Sequence, residues 1–144
     1  MPREEVRLQA RVNAPLESVF AFCADHERFV RLLGGRCRRI KEGTGDPNGV
    51  GSVRRIGSGP LAFEETIVTF EPNRRIAYTV TRGGPIKNHL GTIDFRAADG
   101  ATEIDYVIRF DGKLPLIGRL LAIALRHAWA RNSPRVLAQL ESAH

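Results

Sequence analysis

Four polar side chains carry the chemistry this sequence can offer: Glu65, Tyr78, His89 and Tyr106. Each falls in a strand-like segment, two residues from apolar neighbours. Ile104, Tyr106, Ile108 and Phe110 share one face against Glu103, Asp105 and Arg109. Ile76, Tyr78 and Val80 share another, and Phe63 and Ile67 bracket Glu65. Ile93 and Phe95 set a parity that carries Gly91 and His89 inward with them. Strand side chains alternate with a period of two, so all four polar groups point into the apolar side unless a bulge shifts the register.

A carboxylate and an imidazole on one apolar face form a candidate acid–base pair. Burial raises the pKa of Glu65 and lowers that of His89 unless the two pair with each other. Such a couple suits proton abstraction next to a carbonyl, or loss of water from an aldol product, with Glu65 and His89 as base and acid. Tyr78 or Tyr106 would hold the carbonyl oxygen. The competing reading is structural. His89 then lines a core, Glu65 pairs with Arg54 or Arg55 on the preceding strand, and each tyrosine hydroxyl finds one partner.

The elements that must position these groups can be read along the chain. Val6, Leu8, Ala10 and Val12 alternate with polar residues, as in a half-buried first strand. Asn13 is the expected cap of a short helix with Pro15 in its first turn, carrying Val19, Phe20, Phe22 and Cys23 on its apolar side. Asp25 is the expected cap of a second short helix with Phe29, Val30, Leu32 and Leu33, which Gly34 and Gly35 end. Turn signals then separate strand-like segments near 36–42, 50–56, 61–71, 75–82, 87–97 and 102–110. With the first strand they make seven.

The chain closes on a long apolar-periodic stretch from Leu114 to about Leu140. Leu114, Ile117, Leu120, Leu121, Ala124, Leu125 and Ala128 recur at helical spacing, so they are expected on one buried face. His127, Trp129 and Arg131 would flank it. Pro134 predicts a kink in one continuous helix rather than a restart capped by Ser133. A long helix arriving after a meander of strands can bury its face across the concave side of the sheet, and that geometry tends to leave a pocket.

This order of elements, with Val12-Asn13-Ala14-Pro15-Leu16-Glu17-Ser18-Val19-Phe20, Asp25, Gly49-Val50-Gly51 and Glu71-Pro72-Asn73-Arg74-Arg75-Ile76-Ala77-Tyr78, resembles the START-like (SRPBCC) superfamily. Within it the sequence is most similar to the polyketide cyclase/dehydrase and lipid-transport family. The resemblance runs from Val6 to Leu140. It implies an α+β helix-grip fold: a curved seven-stranded antiparallel sheet wrapped round the C-terminal helix, with two short helices after the first strand and a ligand cavity between sheet and helix. The whole chain, 1–144, then reads as one ligand-binding domain. The family includes cyclases, dehydratases and carriers of hydrophobic ligands, and fold alone does not choose among them.

Candidate ligand-contacting residues are Phe63, Tyr78, Ile93, Tyr106 and Ile108 on the sheet, with Phe29 guarding the mouth. On the helix they are Ile117, Leu121, Ala124 and Ala128, where the small alanines would widen the pocket. The expected partner is a hydrophobic or aromatic small molecule, such as a lipid, polyketide or steroid-like compound.

Other classes find less support. The four histidines, His26, His89, His127 and His144, show no i,i+4 pair and no carboxylate at ligand spacing, so no metal is expected. No cofactor motif is present, and the glycine-rich loops read as turns. Cys23 and Cys37 read as reduced thiols. The formal net charge of +6 favours anionic ligands or surfaces, but the arginines are dispersed and carry no nucleic-acid-binding signature. The basic surface keeps a protein- or RNA-interaction module as the alternative to ligand binding, and a homodimer through a sheet edge or the long helix is compatible with the sequence. No apolar run approaches the roughly 20 residues that span a bilayer. The opening MPREEVRLQ is no secretory signal, so a cytoplasmic location is expected.

Overall fold

The computed structural model describes residues 3–143. Strand β1 (Glu4–Val12) leads into helices α1 (Leu16–Ala24) and α2 (His26–Phe29) and a 3₁₀ turn (Val30–Leu33). Six strands follow: β2 (Cys37–Lys41), β3 (Val53–Ile56), β4 (Phe63–Glu71), β5 (Arg75–Gly83), β6 (Ile86–Ala98) and β7 (Ala101–Gly112). Helix α3 (Ile117–Ser142) closes the chain. All strands pair antiparallel in one sheet of order β1-β7-β6-β5-β4-β3-β2. The fold is the curved seven-stranded sheet with a long C-terminal helix that the resemblance implies.

Local chemistry explains most boundaries. Asp25 caps α2 by accepting from the Glu27 amide at 3.1 Å. Gly34, at φ 73°, supplies the left-handed residue that ends the 3₁₀ turn. Asn13 does not cap α1. Pro15 occupies the cap position, and the Asn13 amide instead donates to the Glu141 carboxylate at 2.7 Å, tying the end of β1 to the end of α3. Helix α3 runs unbroken through Pro134, so Ser133 starts no new helix.

The concave face has two halves. In one, Phe20 of α1 packs edge-on against Phe70 and Phe95, with ring centroids 5.4 and 5.0 Å away. That end is filled. In the other, Phe29 and Trp129 approach Tyr106 at 5.3 and 6.0 Å, and the space beyond is not filled. The opposite face carries cross-strand ion pairs such as Arg7–Asp105 (3.0 Å), Arg75–Asp94 (2.6 Å) and Arg96–Glu103 (2.9 Å). These are exposed, so each contributes little to stability, and they partly neutralise the dispersed arginines.

The buried face of α3 is rotated from the one the apolar spacing suggests. Gly118, Ala122, Trp129, Ser133, Val136, Leu137 and Leu140 are buried. Leu114, Leu120, Ile123 and Ala124 are exposed. The apolar residues of the first half encircle the helix, so the face is set by what the sheet can accept. Gly118 admits close approach to Gly112, where an added side chain would meet Ile117 and the Gly118 backbone.

Candidate ligand cavity

A cavity of about 250 Å³ lies between the sheet, the 3₁₀ turn and the first half of α3. Its apolar wall comes from Val30 and Leu33 of the turn, Ile56 and Phe63 around the β3–β4 connection, and Pro85 and Ile86 at the start of β6. Ile108 and Phe110 of β7 and Leu121 and Leu125 of α3 complete it. The polar side chains on the wall are His26, Cys37, Glu65, Tyr78, His89 and Tyr106.

Tyr78 and Tyr106 share a hydroxyl–hydroxyl hydrogen bond in the interior. The strands that carry them are not neighbours, because β6 runs between. Burial holds both phenols well above their ordinary range, so both stay protonated.

His89 reaches the wall through a register shift between Lys87 and Leu90, beside Asn88 in a left-handed conformation at φ 54°. Its Nδ1 accepts the Val80 amide at 3.1 Å, and its carbonyl accepts the Thr79 hydroxyl at 2.6 Å. The amide fixes the tautomer with the proton on Nε2. Burial lowers the His89 pKa to about 4, so near neutral pH the ring is an uncharged N–H donor.

Glu65 follows a second irregularity, between Glu64 and Glu65, and remains only 9% exposed. Its cross-strand partner is Arg54, itself 1% exposed. The two are not within ion-pair distance, whereas the outward neighbours Arg55 and Glu64 approach to 3.8 Å. Burial pushes Glu65 up to about 7 against the opposing pull of the Arg54 charge. A carboxyl so poised exchanges its proton near neutrality.

The sequence-derived candidates divide accordingly. Glu65, Tyr78, His89, Tyr106, Phe29, Phe63, Ile108 and Leu121 line the cavity. Ile93 is fully buried in the core outside that wall, because its stretch of β6 lies under the filled half. Ala124 is exposed, and Ala128 and Ile117 are half-buried outside the wall, because of the rotated helix face. Leu125 lies on the wall instead. Trp129 is buried against Tyr106 rather than flanking the face.

His26 is a polar wall residue that sequence patterning did not single out. It is 6% exposed, packs against Phe29 and Tyr78 at 5.0 and 5.3 Å, and neither ring nitrogen has a protein partner. A four-residue helix has no periodicity to reveal a buried face; the signal was its position just after the Asp25 cap. Both cysteines are free thiols. Among the described residues, no three His, Cys, Asp or Glu side chains group as metal ligands, and no helix is long and apolar enough to cross a membrane.

The family model for polyketide cyclase/dehydrase and lipid transport matches residues 3–144. The chain belongs to this family. Solved structures share the family's fold with it at low identity. A solution structure from Thermobifida fusca is 19% identical, with a TM-score of 0.71 over 94% of this chain and 92% of that one. Ara h 8.0201 is 16% identical, with a TM-score of 0.63 over 97% and 96%. DynU16, from the dynemicin biosynthetic locus, is 19% identical with a TM-score of 0.66, and its match covers 99% of this chain and 49% of that protein. No curated protein matches the chain by sequence.

Proposed function

We propose that this member of the polyketide cyclase/dehydrase and lipid-transport family binds a small, uncharged apolar molecule bearing a hydroxyl or carbonyl group. The observation that carries this reading is the cavity itself: an apolar wall with a few polar groups, Glu65, the Tyr78–Tyr106 pair and His89. Apolar walls give affinity at ~25 cal/mol per Å² buried, and a few placed polar groups give orientation. The volume of about 250 Å³ sits below the ~300–1,000 Å³ usual for ligand pockets, which favours a compact ring system over a two-chain lipid. Protonated Glu65 and the Nε2–H of His89 can donate to a carbonyl; ionised Glu65 can accept from a hydroxyl.

Trp129, the single tryptophan, lies behind the wall with its ring tilted against that of Tyr106, and serves as an intrinsic reporter. Fluorescence titration with a series of neutral and anionic aromatic compounds, alongside native mass spectrometry of the gently purified protein, tests the proposal. Saturable quenching by neutral hydroxy- or keto-aromatics supports it. Equal indifference to every compound would sink it.

The second reading is enzymatic, and the poised pKa of Glu65 is what favours it. Glu65 would remove a proton next to a carbonyl and return it to a departing hydroxyl. His89 would stabilise the developing oxyanion by hydrogen bonding rather than act as the acid, since its Nδ1 is engaged and its ring stays neutral. Turnover of a poly-β-carbonyl substrate that falls at least ~100-fold in Glu65→Gln would support catalysis. Unchanged turnover in that variant would remove Glu65 from the chemistry, and no turnover in the parent protein would leave only carriage.

A further inference from the structure

A second chamber of about 10 Å³ adjoins the ligand cavity. His26 and Cys37 line both spaces and so form the wall between them. The remaining lining includes Arg54, Glu27, Arg39 and Asn48. Arg54 is the largest fully buried side chain, and its Nε and Nη1 have no protein hydrogen-bond partner. The same holds for both nitrogens of His26. Four buried polar atoms without partners lie together here, two of them on a guanidinium, and each costs free energy unless something completes it.

The chamber's size identifies what does. A free volume of ~10–15 Å³ accommodates one water, and buried waters typically make about three hydrogen bonds to otherwise unpartnered groups. We propose that the chamber is a hydration site in which one water bridges Arg54 and His26, and that it is the inlet through which protons reach the cavity when a ligand fills the mouth. Every element packed here contributes a charged or titratable group. Helix α2 and its cap bring His26, Asp25 and Glu27; β2 brings Cys37 and Arg39; β4 brings Glu65 and β5 brings Tyr78. Arg39 is the register partner of Arg54 on the edge side, and its Nη1 donates to the Asn48 side chain at 2.8 Å. That bond holds the arginine beside the chamber and forms its outer door.

His26 alone on the shared wall has two free nitrogens. It takes a proton at one nitrogen from the water, which regains one from bulk solvent past Arg39, and releases one at the other to ionised Glu65, so charge is conserved and the ring changes tautomer. Burial, and then the Arg54 charge, hold the ring well below its ordinary pKa, so it rests uncharged. Cys37 does not compete: its thiol donates to the His26 carbonyl at 3.2 Å and burial raises its pKa to about 11.

The inlet role rests on the ligand-binding reading; the water site does not, and the test separates them. In the full chain, ¹⁵N-resolved water-exchange spectroscopy reads the Arg54 Nε–H directly. A cross-relaxation peak with a long-lived water is expected, and its absence overturns the hydration site. Asn48→Ala, which removes the acceptor that holds Arg39, is expected to speed exchange of the Arg54 Nε–H about tenfold by easing local opening. An unchanged rate overturns the outer door. For the inlet, the Glu65 carboxyl infrared band is followed after a pH jump with 2-naphthol in the cavity. His26→Phe, which keeps the packing against Phe29 and Tyr78, is expected to slow the response with 2-naphthol bound and leave it fast without. Equal rates in both proteins overturn the inlet. Failure of 2-naphthol to bind at all counts against the ligand-binding reading, while the water peak still decides the chamber.

Discussion

Gly91 and Tyr78 are cross-strand partners, and the tyrosine ring occupies the space a side chain at 91 would need. A Cβ there would stand 2.5 Å from Tyr78 Cζ and 2.8 Å from its hydroxyl oxygen. The bare strand lets the ring cross β6 and bring its hydroxyl to Tyr106 on β7. Gly91→Ala should therefore displace Tyr78 and break the hydroxyl pair, costing about 1–3 kcal/mol through overpacking. Chemical denaturation would show a lower midpoint at unchanged slope. A variant as stable as the parent would mean that the ring does not depend on the glycine.

The stability of the protein should depend on pH through two opposing groups. Glu65 is raised to about 7 from an ordinary 4.5, so its contribution is full below pH 4.5 and is lost as pH rises through 7. His89 is lowered to about 4 from 6.5, so its contribution is full above pH 6.5 and is lost as pH falls through 4. His26 is lowered too and adds to the second slope. Between pH 4.5 and 6.5 the slopes offset each other. Glu65→Gln should unmask the histidines, giving stability that climbs from pH 4 to 6.5 and then stays flat toward 7. Thermal unfolding across that range checks this; a persistent decline toward pH 7 would assign it to another carboxyl.

Two substitutions one residue apart should behave oppositely. Leu125 lines the cavity and Ala124 faces solvent. Leu125→Trp should fill a large part of the 250 Å³ and weaken binding of 2-naphthol at least about tenfold, an effect of lost volume more than of lost contact. Ala124→Trp should leave affinity unchanged. Because a new tryptophan alters the fluorescence signal, calorimetry is the better readout. Equal losses in both would place the helix face as the sequence spacing suggests.

Leu116 enters α3 at φ 68°, a left-handed conformation that costs a leucine about 1–2 kcal/mol, and its side chain is 75% exposed. Little packing offsets the strain. Leu116→Gly should raise stability by about 1 kcal/mol, less whatever the freer unfolded chain takes back. A fall in melting temperature would show that the leucine is held there by contacts that its exposure conceals.

The sheet was legible because period-two alternation survives wherever one strand face is buried: Tyr106 and Ile108 needed only their neighbours. Glu65 and His89 were harder. Each follows a register shift, yet each remains on the inner face, so parity counted from Ile67 and from Ile93 still held. In helix α3 the apolar spacing points to the wrong face because Leu120 and Ile123 are apolar but exposed, and composition cannot reveal which of several apolar stripes meets the sheet. Gly118 and Ser133, which sit on the buried stripe, carry no hydrophobic signal. His26 packs against Tyr78 of β5 and lies near Arg54 of β3, both remote in sequence, and no local pattern encodes that.

Strand β1 pairs with β7 at the far end of the chain, Glu4 with Phe110 and Val12 with Thr102. On a ribosome adding ~5–20 residues per second, β7 emerges roughly 5–20 s after β1, and α3 later still. For that interval Val6, Leu8 and Val12 have no sheet to join, and no cavity exists. The middle strands, each a hairpin neighbour of the next, can assemble as they appear. Closure by β1 and α3 is then a late and non-local event, the slow kind of step in which loop-closure entropy must be met before contacts repay it. The cavity can take up the proposed ligand only after that step.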